Sequence, residues 1–219
     1  MSDLPADLAP FAQHPTSTLS DALDRLGIAG QALGLQPLDR GFRMIGRAFT
    51  VRTIPVKLGQ PAGSVGEYID DVPAGSVLVL DNAGRLDGTV WGDILTTVAA
   101  RNGLAGTVIH GVCRDAARSL ELGYPIYSRG VTMRTGRGRV EADAYNVPVS
   151  LGEVRVTPGD VLVGDGDGVV VIPAGREAEV LEVAGEIAAA EERIRGELDA
   201  GSRLDEARKR HRYMQLTRK

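Results

Sequence analysis

Cysteine occurs once in this 219-residue chain, at position 113. A single thiol cannot close an internal disulfide, which excludes a stapled scaffold and suits a reducing compartment. Lysine is nearly as scarce: Lys57, Lys209 and Lys219 are the whole set, the last two in a basic tail. Ketone activation through a Schiff base needs a desolvated lysine. Only Lys57 could serve, and nothing around it suggests a site. Aromatic residues make up 4% of the chain against 43% hydrophobic residues. The hydrophobic content can supply a proper core, and the aromatic content is low. No stretch approaches the roughly 20 apolar residues of a membrane span. The N-terminus lacks the basic region and apolar run of a signal peptide. There is no P-loop, no G-x-G-x-x-G between strand and helix, no G-x-S-x-G elbow and no histidine pair at helical spacing. Those absences argue against a nucleotide cofactor, a serine hydrolase and zinc. A formal net charge of -4 offers no general attraction to nucleic acid or a membrane surface. The expectation is a soluble, cytoplasmic protein. No linker or repeat divides the chain, so residues 1–219 are expected to form one domain.

What is present reads first as an α/β pattern. Thr16 to Leu26 has the form of a helix with Leu19, Ala22, Leu23 and Leu26 on one face. Phe42 to Val56 alternates enough for one or two strands, and Ser64 to Asp71 suits a short helix. Val77 to Asp81 is an apolar strand. From about residue 144 the texture changes to short strands at Val147–Val149, Val154–Val156, Val161–Val163 and Val169–Ile172. A long glutamate-rich helix begins near Val180 and breaks at Gly201-Ser202. The basic tail beyond Arg203 reads as a solvated helical face or a frayed terminus.

Asp93 and, after a gap of 20 residues, the pair Arg114-Asp115 are the most informative residues. Apolar residues at 90, 94, 95, 98 and 99 predict an amphipathic helix that ends near Gly103, a natural left-handed cap. Leu104 to His110 predicts a short buried strand stopped by Gly111, and Arg114 opens another helical stretch to Gly123. A helix packed on a sheet runs antiparallel to the strand that follows it. Asp93 and Arg114-Asp115 should therefore converge outside the C-terminal end of a strand, where open α/β sheets bind ligands. An acid, a cation, a second acid and two helix N-termini there suit a small anion and a metal. A plain Arg114–Asp93 surface ion pair is the alternative.

Other motifs carry less. Asp165-Gly-Asp-Gly168 opens like a calcium loop but has Val169 and Arg176 at the fifth and twelfth ligand positions, so a tight hairpin turn is expected. Cys113 beside Arg114 is read as a small buried residue rather than a thiolate. His110 is read as a hydrogen-bonded histidine near the rim.

The Asp93-x20-Arg114-Asp115 spacing resembles the signature of the family containing 4-hydroxy-4-methyl-2-oxoglutarate aldolase and the ribonuclease activity regulator RraA. Ser20-Asp-Ala-Leu23, the run from Pro158 to Pro173, and Ala190-Glu-Glu-Arg-Ile-Arg195 extend the resemblance over roughly residues 16 to 206. It implies a swivelling β/β/α domain, similar to phosphohistidine domains, flanked by N- and C-terminal helices. It also implies trimers, or hexamers built from trimers. The aldolase branch implies catalytic roles for Arg114 and Asp93 and a substrate-binding segment Gly92-Asp93-Ile94-Leu95 with Arg114. It implies Mg²⁺ or Mn²⁺ held by Asp115, largely through waters. Glu191 or Glu192 of a neighbouring subunit is implied as an assisting residue. One departure stands out: the Gly-Asp-Asn often found before the short helix is here Ala62-Gly63-Ser64.

Those residue types suit the chemistry. Retro-aldol cleavage of a 4-hydroxy-2-oxo acid leaves negative charge on the C2 oxygen of pyruvate enolate, which a divalent cation can accept. The fork of Arg114 matches a carboxylate in a way lysine cannot. The same enolate forms when oxaloacetate loses CO₂, so decarboxylation is an expected second activity. The regulator branch lacks the acid after the arginine, and this chain keeps it. The expectation is a metal-dependent pyruvate aldolase acting on a small 2-oxo acid; the alternative is a non-catalytic inhibitor of a ribonuclease.

Overall fold

The computed structural model describes residues 4–56 and 63–216. Lys57, Ala62 and Lys219 lie outside the described residues. The organising element is β2, Met44–Pro55, which pairs with three partners along its length. Its first residues run antiparallel to β9, Val161–Asp165, with Met44 opposite Gly164. Its centre runs parallel to β3, Val77–Arg85, with Ala48 opposite Val77. Its end turns antiparallel to β6, Val140–Tyr145. The parallel strands β3, β4 (Gly106–Gly111) and β5 (Ile126–Ser128) follow side by side. The two-residue β1, Gln36–Pro37, pairs with β5, and β10, Gly168–Ile172, pairs with β9.

One segment nearly closes this eight-stranded sheet. Gln31 bridges Val170 in β10, while Gln36 a few residues later pairs with Ser128 in β5. The enclosed core is mostly aliphatic, with Met44, Val79, Val108 and Leu162 around the buried ring of Tyr127. The small hairpin of β7 (Val149–Leu151) and β8 (Val154–Val156) contributes Leu151 and Val156 to it.

Helices cover the outer faces. Helix α1, Thr16–Arg25, buries Leu19, Ala22 and Leu23 against the inner side of the long α4, Glu177–Asp199, and the β9–β10 hairpin. Residues 165–168 form the tight turn of that hairpin, as expected, and the turn also caps α1. Asp165 accepts the Thr16 amide at 2.8 Å and the Thr16 hydroxyl at 2.6 Å. These bonds satisfy a helix N-terminus that has no cap of its own. Helix α2, Asp93–Arg101, and a 3₁₀ turn at Glu67–Asp71 pack over Leu78, Leu80 and Ile109 on the other face.

Three expectations need correction. The strand texture begins with β6 at Val140, because Glu141 and Asp143 break the apolar pattern of a half-exposed edge strand. The strand expected at Val147–Val149 runs Val149–Leu151, after a left-handed Asn146 and Pro148. The tail is docked. After Gly201, with φ +90°, α5 (Leu204–Arg210) and α6 (Tyr213–Leu216) fold back on α4. Arg210 donates to Glu197 at 2.6 Å, His211 Nε2 lies 2.7 Å from Glu197, and the Tyr213 hydroxyl donates to Glu191 at 2.9 Å. His211, and then Arg210, hold the Glu197 carboxyl below its ordinary value. Among the described residues no helix is long and apolar enough to cross a membrane.

Candidate active site

The site is built on the two turns that leave the C-terminal edge of the parallel strands. Trp91, 2% exposed, stacks on Tyr124 with 6.5 Å between ring centroids. Its Nε1 donates to Thr96 Oγ1 at 2.9 Å, and that hydroxyl donates to the Gly92 carbonyl at 2.9 Å. These bonds fix the first turn of α2 from within the core. At its other end Gly103 adopts φ +70° and terminates the helix where the sequence predicts.

The second turn follows β4. The Arg114 amide donates to the Trp91 carbonyl at 3.1 Å, which sets the two turns side by side. Asp115 then takes a left-handed backbone, φ 57° and ψ 39°, at the start of α3, Ala116–Leu122. Aspartate is among the few side chains that tolerate this region, at some cost in strain. Its Oδ2 lies 3.2 Å from Arg114 Nε in an ion pair and accepts from the Asp93 amide at 3.2 Å. Asp93 Oδ1 accepts the Ile94 amide at 2.8 Å.

Asp93, Arg114 and Asp115 thus meet at one rim, as the connectivity predicts. Arg114 pairs with Asp115; no Arg114–Asp93 ion pair forms among the described residues. Two helix-terminal amides that the resemblance gives to substrate are hydrogen-bonded to the chain's own carboxylates. The first turn of α2 is therefore already a carboxylate-binding surface, the behaviour expected of unsatisfied N–H groups at the positive end of a helix. The apolar face of α2 is narrower than its spacing suggests. Val90 and Ala99 are buried, but Ile94 is 73% exposed because the first turn projects past the sheet.

A cleft of about 700 Å³ opens in front of Gly92 and Arg114. Its walls are α2, the 3₁₀ turn carrying Glu67 and Asp70, and the loop Thr135-Gly136-Arg137. Gly63 and Ser64 also line it, so the segment that departs from the family pattern borders the site. Glu67, Asp70 and Arg137 were not foreseen. The basic, glycine-rich stretch from Arg134 to Arg139 was the signal available for Arg137. Gly136 has no room for a side chain: a Cβ would lie 1.9 Å from the Thr89 carbonyl oxygen. Asp115 stands behind Gly92, where a Cβ would lie 2.8 Å from its Oδ2.

The remaining candidates lie apart. His110 is half-buried with Nδ1 3.3 Å from Asp81 Oδ1, hydrogen-bonded as expected. Cys113 is fully buried, and burial pushes its thiol up, which supports the inert reading. Glu191 is engaged by Tyr213. Glu192 is exposed and accepts from Arg195 at 2.9 Å. No group of three or more His, Cys, Asp or Glu side chains converges among the described residues. Asp115 and Asp93 form a sparse, all-oxygen donor set. It fits a hard cation that keeps most of its waters, such as Mg²⁺, and does not fit a closed nitrogen–sulfur site.

The model of the RraA-like family (Aldolase/RraA) matches residues 16–171. The chain belongs to the RraA-like family. It is 41% identical over 201 residues to protein DlpA of Legionella pneumophila, covering 91% of this chain and 33% of DlpA. The chain thus spans about a third of that relative's length. A Halalkalibacterium halodurans protein with the provisional name 4-hydroxy-4-methyl-2-oxoglutarate aldolase is 36% identical over 181 residues, covering 81% of each. Among solved structures, an uncharacterized protein of Pseudomonas syringae superposes with a TM-score of 0.85 at 42% identity, over 93% of this chain and 96% of that one. Streptomyces coelicolor RraAS2, described as an unusual member of the RNase ES inhibitor RraA family, gives 0.79 at 32% identity over 86% and 94%. The nearly closed sheet with flanking helices is the RraA-like architecture.

Proposed function

We propose that this chain is a divalent-metal-dependent lyase that releases pyruvate from 4-hydroxy-4-methyl-2-oxoglutarate or a related 4-hydroxy-2-oxo acid. The observation that carries the reading is the Asp115 carboxylate, held between the Arg114 guanidinium and the Asp93 amide beside an open cleft. A regulator that only docks on a partner has no need of a left-handed aspartate aimed at an arginine and a helix N-terminus. The provisional aldolase name of the Halalkalibacterium halodurans relative supports the same class.

Asp115 would hold the metal, with Asp93 beside it at the same rim. When bound, the metal accepts the negative charge that develops on the C2 oxygen. Arg114, 38% exposed on its side chain, presents its remaining N–H groups to the substrate carboxylate and fixes the 2-oxo acid in the cleft. The positive end of the α2 dipole favours the same negative charge. With Oδ1 taken by the Ile94 amide, Asp93 Oδ2 can orient a water that removes the proton of the C4 hydroxyl. The C3–C4 bond then breaks, its electron pair passes to the C2 oxygen as the enolate, and the C4 fragment leaves as a carbonyl compound. The same water returns the proton to C3 and completes pyruvate. Loss of CO₂ from oxaloacetate gives the same enolate and is the proposed side activity. A homotrimer, single or paired into a hexamer, in which Glu191 or Glu192 reaches the neighbouring cleft, belongs to the same proposal.

The test is pyruvate release from 4-hydroxy-4-methyl-2-oxoglutarate and from oxaloacetate, with Mg²⁺ and with EDTA, for the wild type and Arg114→Ala. Metal-dependent turnover lost in the variant is expected. No turnover of either substrate by folded wild-type protein would sink the assignment.

A further inference from the structure

The cleft is larger than the three-carbon unit that Arg114 and α2 can hold, and its far wall carries a second arginine. Four arginines border the loop from Arg129 to Arg139, and three of them are occupied in holding it. Arg129 donates to the Gly84 carbonyl at 3.0 Å, Arg134 to the Asp87 carbonyl at 3.2 Å, and Arg139 to the Thr135 carbonyl at 3.1 Å. The Thr89 amide donates back to the Arg134 carbonyl at 3.1 Å, and Gly136 is pressed against the Thr89 carbonyl without space for a methyl group. The loop tip is therefore fixed against the strand-to-helix connection that leads to Trp91 and Asp93. Arg137 is exposed and lines the cleft, and its guanidinium forms no ion pair among the described residues. Glu67 and Asp70 also border the cleft but belong to the opposing 3₁₀ turn, beside the apolar side chains of Ile69 and Leu95.

Resting on the pyruvate-forming reading of this cleft, we propose that Arg137 is a specificity-determining residue that binds a second carboxylate at the distal end of the substrate. A guanidinium fixed on its backbone but unpaired at its tip is a ready partner for a planar anion. Arg114, at the positive end of α2, takes the 2-oxo acid end, Arg137 takes the distal acid, and the apolar stretch between them accepts the substituent at C4. Glu67, and Asp70 with its 3.5 Å partner Arg101, put mostly negative charge on the opposing wall, which leaves Arg137 as the cationic landing point on the far side among the described residues. The cleft thereby selects 2-oxo dicarboxylates over 2-oxo acids with uncharged tails. Arg137 contacts a part of the substrate that does not react, so it contributes equally to ground and transition states and acts on KM rather than kcat.

Calorimetric titration with 2-oxoglutarate and 2-oxopentanoate, in the presence of Mg²⁺, isolates the subsite because neither acid has a C4 hydroxyl to cleave. Tighter binding of 2-oxoglutarate by the wild type is expected. Arg137→Gln should weaken it by roughly fivefold, the upper range for a solvent-exposed ion pair, and leave 2-oxopentanoate unchanged. Arg137→Lys should keep part of the preference, and Arg137→Glu should reverse it. Equal affinity of the wild type for the two acids, failure to bind either, or a preference that survives in Arg137→Gln would overturn the proposal. Pyruvate release by the wild type decides the parent reading independently. Turnover of 4-hydroxy-4-methyl-2-oxoglutarate with KM unmoved in Arg137→Gln would sink the role of Arg137 and leave the aldolase reading standing.

Discussion

The left-handed backbone of Asp115 turns its carboxylate back onto the amide of Asp93, 3.2 Å away, across the gap between two helices. An ordinary helical start at Asp115 would change the direction of the side chain. Conformational strain and site geometry are therefore one feature, which can be separated by substitution. Asp115→Gly relieves the left-handed penalty and should raise stability by about 1 kcal/mol, while pyruvate release falls to background. Asp115→Asn keeps a side chain that tolerates this backbone and can still accept from the Asp93 amide, so its stability should stay within about 0.5 kcal/mol of wild type. Its metal-stimulated activity should be lost as well. Denaturant melts beside metal-titrated kinetics check both; an active Asp115→Gly variant would remove Asp115 from the site.

Gly136→Ala should unseat the cleft wall rather than the core. A methyl group 1.9 Å from the Thr89 carbonyl forces two backbone segments apart. The expected outcome is a folded protein, destabilised by about 1–3 kcal/mol as for other overpacked positions. Amide exchange should accelerate between Arg134 and Arg139, with KM rising more than kcat falls.

Trp91→Phe keeps the apolar plate over Tyr124 but removes the N–H that holds Thr96. Loss of one buried hydrogen bond costs about 1 kcal/mol. The larger effect should be kinetic, because Thr96 also anchors Gly92 and with it the position of the Asp93 amide. A drop in kcat beyond what the melting curve predicts would mark this as a positioning role.

The cap that Asp165 provides for α1 should give stability a pH dependence. Burial alone would raise this carboxyl, but hydrogen bonds from Thr16 and Asp167 outweigh it and set the group below its ordinary 3.8. A depressed folded value means the contribution is complete above about pH 4 and is lost as pH falls through the folded value. Asp165→Ala should therefore cost about 1–2 kcal/mol at pH 7, and the difference from wild type should shrink when both proteins are melted near pH 2. A constant difference across that range would contradict the cap.

The layout of the site was legible in the sequence because it depends on connectivity. A helix followed by a strand returns the chain to its starting edge, which was enough to bring Asp93 and Arg114-Asp115 together. The left-handed turn at Asp115 was not visible, since aspartate is compatible with it but does not require it. The cleft wall at Arg137 was hidden for a related reason: its placement depends on a close approach between Gly136 and Thr89, remote in sequence. The edge strand β6 carries Glu141 and Asp143 because its outer side is exposed, so hydrophobic period alone could not find it. The docked tail escaped notice because Arg210, His211 and Tyr213 look like solvated charge until Glu191 and Glu197 of α4 are placed beneath them.

The three-way pairing of β2 has a consequence for how the chain is made. During synthesis, β3 can join β2 soon after it emerges, but the other edge stays open until β6 and then β9 arrive, with Met44 waiting for Gly164. An unpaired, largely buried-type strand edge is a template for wrong partners. The glycine-rich turns and polar residues between Arg129 and Arg139 are thus the last part of the chain to emerge before that edge begins to be covered. Ribosome pausing there would prolong the interval in which a nascent copy can pair with its neighbour instead of with itself.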